Sequence, residues 1–588
     1  MRLRIIFFSL MLIYLVSACS GEISHDLVAV VGDGGNMVTV TIRLVPGSGN
    51  EYIRLLPYAG ISTQQSIKMG LEYSRYKSDS EYSDCDVLVD FGPLPYGEYI
   101  DGPSAGIAIA VMSYALFENL TIRDDTLMTG SVDSYGTVGS VGGLYEKARA
   151  AVANDARYFI TPYNTIYESL TLDRLEELYG IKIIEVKTVD EAIDFMIYNI
   201  TVPERNYTVY ETRLSENVTP IDYSKTLPLR DTALKMIEIE NQTLDWMPSS
   251  QGWIKDYFSD AVSEQIEINN RGYYFTAAND AFLNYVEVST INAILEDYVN
   301  LEGKKNEVVS CLESRERPVM TDENFEWVLA SDLRRMWAVN KVNSTAVSGN
   351  MLVEGEYAAY HELMYADAWC RVSGMLGDVA SGFDGTEVDE AAWKQLAERK
   401  IAEAEETQHT PETASRLAIA KKSYEEGYYG AAIYDAVYVT SMDDVDIDLL
   451  LYTSDELEEA TEYLSEEDRD SVWGQIYHSQ GVFFMNENSP SISTSYRLFV
   501  YAKNLDYVTE EMRDEMETIV ADKKDEVPLE LLVLIFLFFS FVLLYILPKR
   551  RSYAGRNKRR GDISGTGKKV SGAGAKKGVS GTRRPKHG

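Results

Sequence analysis

Apolar positions in the first third of the chain switch between two periods. Leu27 to Val31 and Met37 to Leu44 are short apolar runs that read as strands, whereas Gln64 to Tyr76 repeats its apolar residues at helical spacing. Cys85 to Phe91 reads as a further strand, and Ser104 to Phe117, apolar and rich in alanine, as a buried helix that starts at the serine. Leu144 to Ala153 predicts a helix, Tyr158 to Ile160 a short strand, Leu170 to Tyr179 a helix, Lys182 to Val186 a strand and Val189 to Tyr198 a closing helix. The alternation predicts an α+β domain over residues 26–201. Residues 202–227 hold Pro203 and Pro220 and little periodicity, and are expected to be an exposed linker. From 228 to 525 Glu, Ala, Leu, Tyr and Lys recur at helical spacing, as in Asn279 to Leu301, Asn324 to Val342 and Glu354 to Leu376. This stretch predicts a mainly α-helical domain.

The two ends have a different pattern. Arg2 and Arg4 precede the apolar run Ile5 to Val16, and Val16-Ser17-Ala18 supplies small residues at a cleavage point, so residues 1–18 read as a secretory signal peptide. Val16-Ser17-Ala18-Cys19 also fits a lipoprotein box, in which Cys19 would be acylated; the alternative is a small residue beside the cut. Pro528 to Leu547 is nearly all apolar and long enough to cross a bilayer as a helix. Lys549, Arg550, Arg551, Arg556 and Lys558 to Arg560 follow it, so residues 548–588 are expected in the cytoplasm and residues 20–525 outside, at the cell membrane.

The formal net charge is −37. Because the tail is basic, the rest of the chain carries roughly −50, which argues against nucleic acid as a partner and leaves membrane lipid as a partner of the tail. Sequons at Asn119, Asn199, Asn206, Asn217, Asn241 and Asn343 fit an exported glycoprotein. Of the cysteines, Cys311 and Cys370 could form a disulfide in an oxidising exterior, the competing reading being buried free thiols, and Cys85 has no evident partner. The histidines are scattered, with no spacing that suggests a metal site, and no cofactor is expected. Ala414 to Val439 looks like a helical hairpin of tetratricopeptide type, but no clean repeat accompanies it, so a repeat array and an irregular bundle both remain open.

Candidate chemistry concentrates in two segments, Asp101-Gly102-Pro103-Ser104-Ala105-Gly106 and Gly142-Gly143-Leu144-Tyr145-Glu146-Lys147, with Met128-Thr129-Gly130 between them. Together they resemble the proteolytic domain of the Lon family, whose serine nucleophile is followed by a lysine base about 43 residues later. The resemblance runs through the whole of 26–201. It implies Ser104 as nucleophile and Lys147 as base, with Thr129 hydrogen-bonding the lysine amine. Gly102, Pro103 and Gly106 would shape the serine turn, with Asp101 beside them as a supporting residue, and Gly142-Gly143 the start of the lysine helix. A serine hydroxyl needs such a base, and a lysine can serve only if desolvation or nearby positive charge keeps its amine neutral. The backbone N–H of Ser104, at a helix start, could face an oxyanion. Ser131 and Tyr145 depart from the bacterial pattern, where an acid and a lysine are usual.

Two rival serine motifs are weaker. Gly102 to Gly106 formally fits a nucleophile elbow, but its triad needs a histidine, and none lies between His25 and His361. Ser74-Arg75-Tyr76-Lys77 matches a penicillin-binding motif without its Lys-Thr-Gly companion, and is expected to be coincidence on an exposed helix. The chain has no Gly-x-x-x-x-Gly-Lys-Ser/Thr phosphate loop. The resemblance therefore implies an ATP-independent, membrane-anchored serine endopeptidase of the archaeal Lon-like kind, acting on extracytoplasmic protein or peptide substrates. Lon-type domains often form hexameric rings, but without an ATPase ring none is assumed here, and a homo-oligomer stays open. The alternative is an inactive surface receptor or scaffold built on the same fold.

Overall fold

The computed structural model describes residues 19–31, 34–54, 58–78, 85–92, 99–100, 102–133, 135–345 and 353–525. The expected signal segment, the apolar run 528–547, the basic tail and Asp101 lie outside these residues. Among the described residues no helix is long and apolar enough to cross a membrane, and no group of three or more His, Cys, Asp or Glu could hold a metal ion.

The N-terminal half is built on two small sheets. Strands β1 (Gly21–Val31) and β2 (Gly34–Pro46) form an antiparallel hairpin; β2 continues to β4 (Cys85–Phe91), which pairs in parallel with β3 (Glu51–Ile53). The inward residues Val38, Val40, Ile42 and Leu44 alternate along β2, as period-two burial requires. Helices α1 (Ile61–Lys77) and α2 (Gly106–Phe117) share a core with this sheet. Helix α2 is buried on nearly every face, which is why its sequence is apolar throughout instead of amphipathic. A second, all-parallel sheet has the order β7-β6-β5, from Lys182–Val186, Tyr158–Pro162 and Thr126–Met128. Helices α3 (Leu144–Ala153), α4 (Ile166–Tyr179) and α5 (Val189–Met196) complete the half. Capping boxes at Thr165 and Thr188 start α4 and α5, each threonine bonding the backbone N–H three residues on while a glutamate returns the bond.

The second half is helical, from α6 (Leu229–Leu244) through α7 (Gly252–Asn270), α8 (Tyr274–Leu295), α9 (Leu301–Glu313), α10 (Phe325–Ser344) and α11 (Val353–Ala380). It continues with α12 (Lys394–Glu405), α13 (Pro411–Glu425), α14 (Tyr429–Leu451), α15 (Ser454–Ser465), α16 (Val472–Asn486) and α17 (Ile492–Asp525). The hairpin expected over 414–439 is α13–α14, turning at Gly427. Trp327, Trp393, Trp473, Tyr434 and Phe499, from several of these helices, fill the main core of the helical half.

Three sequence expectations need correction. The 202–227 segment is irregular, but it is tied down. Arg213 pairs with Asp280 at 3.0 Å and Glu487 at 2.7 Å, Tyr210 and Thr212 bond Glu264, Val218 is buried, and Arg271 holds the Val218 carbonyl at 2.7 Å. Cys85 has a partner after all, since it is disulfide-bonded to Cys19, and Cys311 is bonded to Cys370 as one reading allowed. A sulfur in a disulfide cannot carry a thioether-linked lipid, so the lipoprotein reading of Cys19 falls. Finally, Ser74 is buried, not exposed: its hydroxyl lies 2.7 Å from the carbonyls of both Gly70 and Ala110, and it knits α1 to α2.

Among the described residues, α1 and α4 both carry contacts between the halves. On α1, Gln65 donates to the Asp446 carbonyl of α14 at 2.7 Å, and Lys68 reaches the carbonyls of Leu450 at 3.0 Å and Tyr452 at 2.7 Å. An ammonium there satisfies the orphan carbonyls at a helix C-terminus and complements its dipole. On α4, Ile166 enters an apolar cluster with Ile254, Phe258, Val288 and Ile291, and the Tyr167 N–H donates to Glu287 at 3.1 Å.

Candidate active site

Ser104 lies in a 3-10 turn, Pro103–Ala105, immediately before α2; the expected helix thus begins two residues later than its serine. Gly102 precedes the turn at φ 145, a backbone conformation that side chains disfavour, so glycine is needed there. Two hydroxyls from α1 hold the turn: Ser66 donates to the Pro103 carbonyl at 2.7 Å and Thr63 to the Gly102 carbonyl at 3.3 Å. On the opposite side the Gly130 N–H donates to the Ser104 carbonyl at 3.1 Å, and the Ile107 N–H donates to the Gly130 carbonyl at 3.1 Å. The serine turn is therefore clamped between α1 and the chain leaving β5. Neither Ser66 nor Thr63 is singled out by sequence. Their signal was faint: buried hydroxyls on the face of α1 that also carries Ile67, Gly70 and Leu71.

Lys147 sits one turn into α3. Gly143 caps that helix at φ 66, again a left-handed position suited to glycine, and its carbonyl accepts the Lys147 N–H at 3.0 Å. The residue is only 4% exposed. No carboxylate is paired with its amine among the described residues, and burial pushes the Lys147 amine down to about 8, with the neighbouring Glu146 opposing the shift. Removing water from an ammonium without supplying a counter-charge favours the neutral amine.

β5 links the two segments. Leu127 packs with Leu144 and Ala148 of α3, whereas Met128 packs with Ile107 and Val111 of α2, in keeping with alternating strand faces. Thr129 and Gly130 then carry the chain to the serine turn. Thr129 is buried, and its hydroxyl lies 3.5 Å from the Ser104 carbonyl. Its described side-chain contact is thus to the serine's backbone and not to the lysine amine, where the resemblance had put it. Asp101 lies outside the described residues.

The rival bases are engaged elsewhere. His361 stacks on Tyr167 with ring centres 4.3 Å apart, its Nδ1 is 3.0 Å from the Thr290 hydroxyl, and burial pushes its imidazole down to about 4. His25 is also buried and shifted down by desolvation.

Residues 24–199 match the Lon protease (S16) C-terminal proteolytic domain. The Lon protease of Xanthomonas oryzae pv. oryzae is 30% identical over 186 residues, covering 29% of this chain and 20% of that protein. Lon protease 2 of Bacillus subtilis is 36% identical over 117 residues, 20% of each chain. The Lon protease of Aquifex aeolicus is 31% identical over 182 residues, 27% of this chain and 22% of its own. The chain spans about a fifth of the length of the curated relatives it matches. Residues 24–199, and with them both the serine turn and the lysine helix, are therefore similar to the proteolytic domain of Lon proteases, and the match ends where the strap into the helical half begins.

Proposed function

We propose that this protein is a serine endopeptidase in which Ser104 is the nucleophile and Lys147 the general base. The observation that carries the reading is the buried Lys147, paired with no carboxylate among the described residues and pushed by burial down to about 8, within a segment that matches a proteolytic domain. In this mechanism the neutral amine takes the Ser104 hydroxyl proton as Oγ attacks the peptide carbonyl carbon. The resulting ammonium returns a proton to the leaving amine as the C–N bond breaks. Water, activated by the same lysine, then hydrolyses the acyl-enzyme. The Ser66 bond to Pro103 and the Gly130 bond to Ser104 hold the turn whose Oγ must be aimed, so the clamp supplies orientation without adding charge.

The same proposal places the catalytic half outside the membrane, anchored by 528–547, and independent of ATP. Support comes from two disulfides, which persist in oxidising compartments, and from the six sequon asparagines, all of which are exposed. Flexible protein substrates are the expected class. The test is casein digestion by the detergent-solubilised full chain with and without ATP. Wild type should cleave equally in both, while Ser104→Ala and Lys147→Ala should each lose at least about a hundredfold in rate. Folded wild-type protein with no peptidase activity would favour the scaffold reading instead.

A further inference from the structure

The helical half holds a cavity of its own, to which no residue of the Ser104 or Lys147 segments contributes. Helices α6, α8, α10, α11, α13 and α16 enclose a cavity of about 300 Å³. Its walls are aromatic, with Phe275, Trp337, Trp369, Trp473 and Tyr477 among them. Two arginines line it, Arg334 and Arg416, and no acid does.

Arg334 is only 5% exposed. Its guanidinium carbon lies 4.8 Å from the ring centre of Trp337 and 4.5 Å from that of Trp473, and no ion pair joins it to a carboxylate among the described residues. The nearby acid is Asp435, which pairs with Arg416 at 3.1 Å and accepts the Trp337 indole N–H at 3.2 Å. Two guanidiniums thus share one carboxylate that is already committed. Burial pushes the Arg334 guanidinium down from its ordinary value; Tyr477, which hydrogen-bonds it, and Tyr501 oppose that shift and Arg416 adds to it, and an arginine does not give up its proton in a protein. An ionised group buried without counter-charge is costly, and ring-face contacts offset only a fraction of that cost. The two cavity arginines thus carry more positive charge than Asp435 alone balances, and an anion on Arg334 would supply the difference.

We propose that the cavity binds a small monocarboxylate on an aromatic body, its carboxylate on the Arg334 guanidinium and its body against the surrounding rings. A planar guanidinium fork matches a carboxylate, and the second lining cation, Arg416, is already paired with Asp435, which leaves Arg334 to take a single carboxylate. Leu283 and Tyr365 separate it from a larger cavity of about 1060 Å³ whose lining they share. The site does not depend on the Ser104 chemistry.

The test is thermal unfolding and tryptophan fluorescence of the full-length chain titrated with 3-phenylpropionate, 3-phenylpropanamide and inorganic phosphate. The acid should raise the midpoint by about 2–4 °C at millimolar concentration and change the fluorescence saturably, since Trp337 and Trp473 flank the cation. The neutral amide and phosphate should do neither. Arg334→Gln should abolish the response to the acid. Equal responses to acid and amide, a matching response to phosphate, or no response to the acid would each overturn the proposal. The acid–amide contrast holds on wild type even if Arg334→Gln fails to fold.

Discussion

A buried lysine without a carboxylate is a liability that a folded protein keeps only for a reason. With the Lys147 amine shifted from its ordinary value of 10.5 to about 8, the charged form is disfavoured in the native state. The sign follows directly: below pH 8 both states are protonated and the native state bears the full desolvation cost, which fades as pH rises from about 8 toward the unfolded value. Lys147→Met should therefore abolish proteolysis while raising stability at pH 6–7, by up to roughly 3 kcal/mol, read from denaturant unfolding. Wild-type rate should climb with pH through about 8, as the neutral amine accumulates. Unchanged or lower stability in the methionine variant would mean that the amine is solvated or paired. At this scale the sequence was most legible, because each segment is contiguous and rich in glycine at Gly102 and Gly143, where the backbone is left-handed. Ser66 and Thr63 were not legible, since what makes them matter is the packing of α1 against the serine turn, a contact between residues far apart in sequence.

Among the elements, α1 does two jobs at once. Its Thr63 and Ser66 hold the serine turn, while Gln65 and Lys68 reach α14 of the helical half. The helical half is thereby mechanically continuous with the nucleophile. Gln65→Leu with Lys68→Met should cost about 1–3 kcal/mol of stability and lower kcat more than it raises KM, measured on a peptide substrate. A normal kcat in a folded double variant would show that the turn is set without help from α14. Helix and strand periods predicted Cys85–Phe91, Leu144–Ala153 and Lys182–Val186 as they are found. The strap over 202–227 was misread because its ties are side-chain bonds such as Arg213 to Glu487, which leave no periodic trace.

For the molecule as a whole, two disulfides close long loops, with sequence separations of 66 and 59 residues. Loops of that length contribute about 3–5 kcal/mol each, so mild reductant should lower the unfolding midpoint by several degrees or more. The Cys19–Cys85 bond also requires that the mature chain keep Cys19 with an unlipidated sulfur, which intact-mass analysis of the N-terminal peptide would read. That pairing was hidden because Cys19 lies beside the expected signal and was assigned to processing. The most direct test of the central claim uses the whole solubilised chain, treated with a serine-directed fluorophosphonate and mapped by mass spectrometry. A single adduct on Ser104, formed faster as pH rises through about 8 and lost in Lys147→Ala, is the predicted result. An adduct on another serine, or undiminished labelling of Ser104 in Lys147→Ala, would contradict the assignment of nucleophile and base.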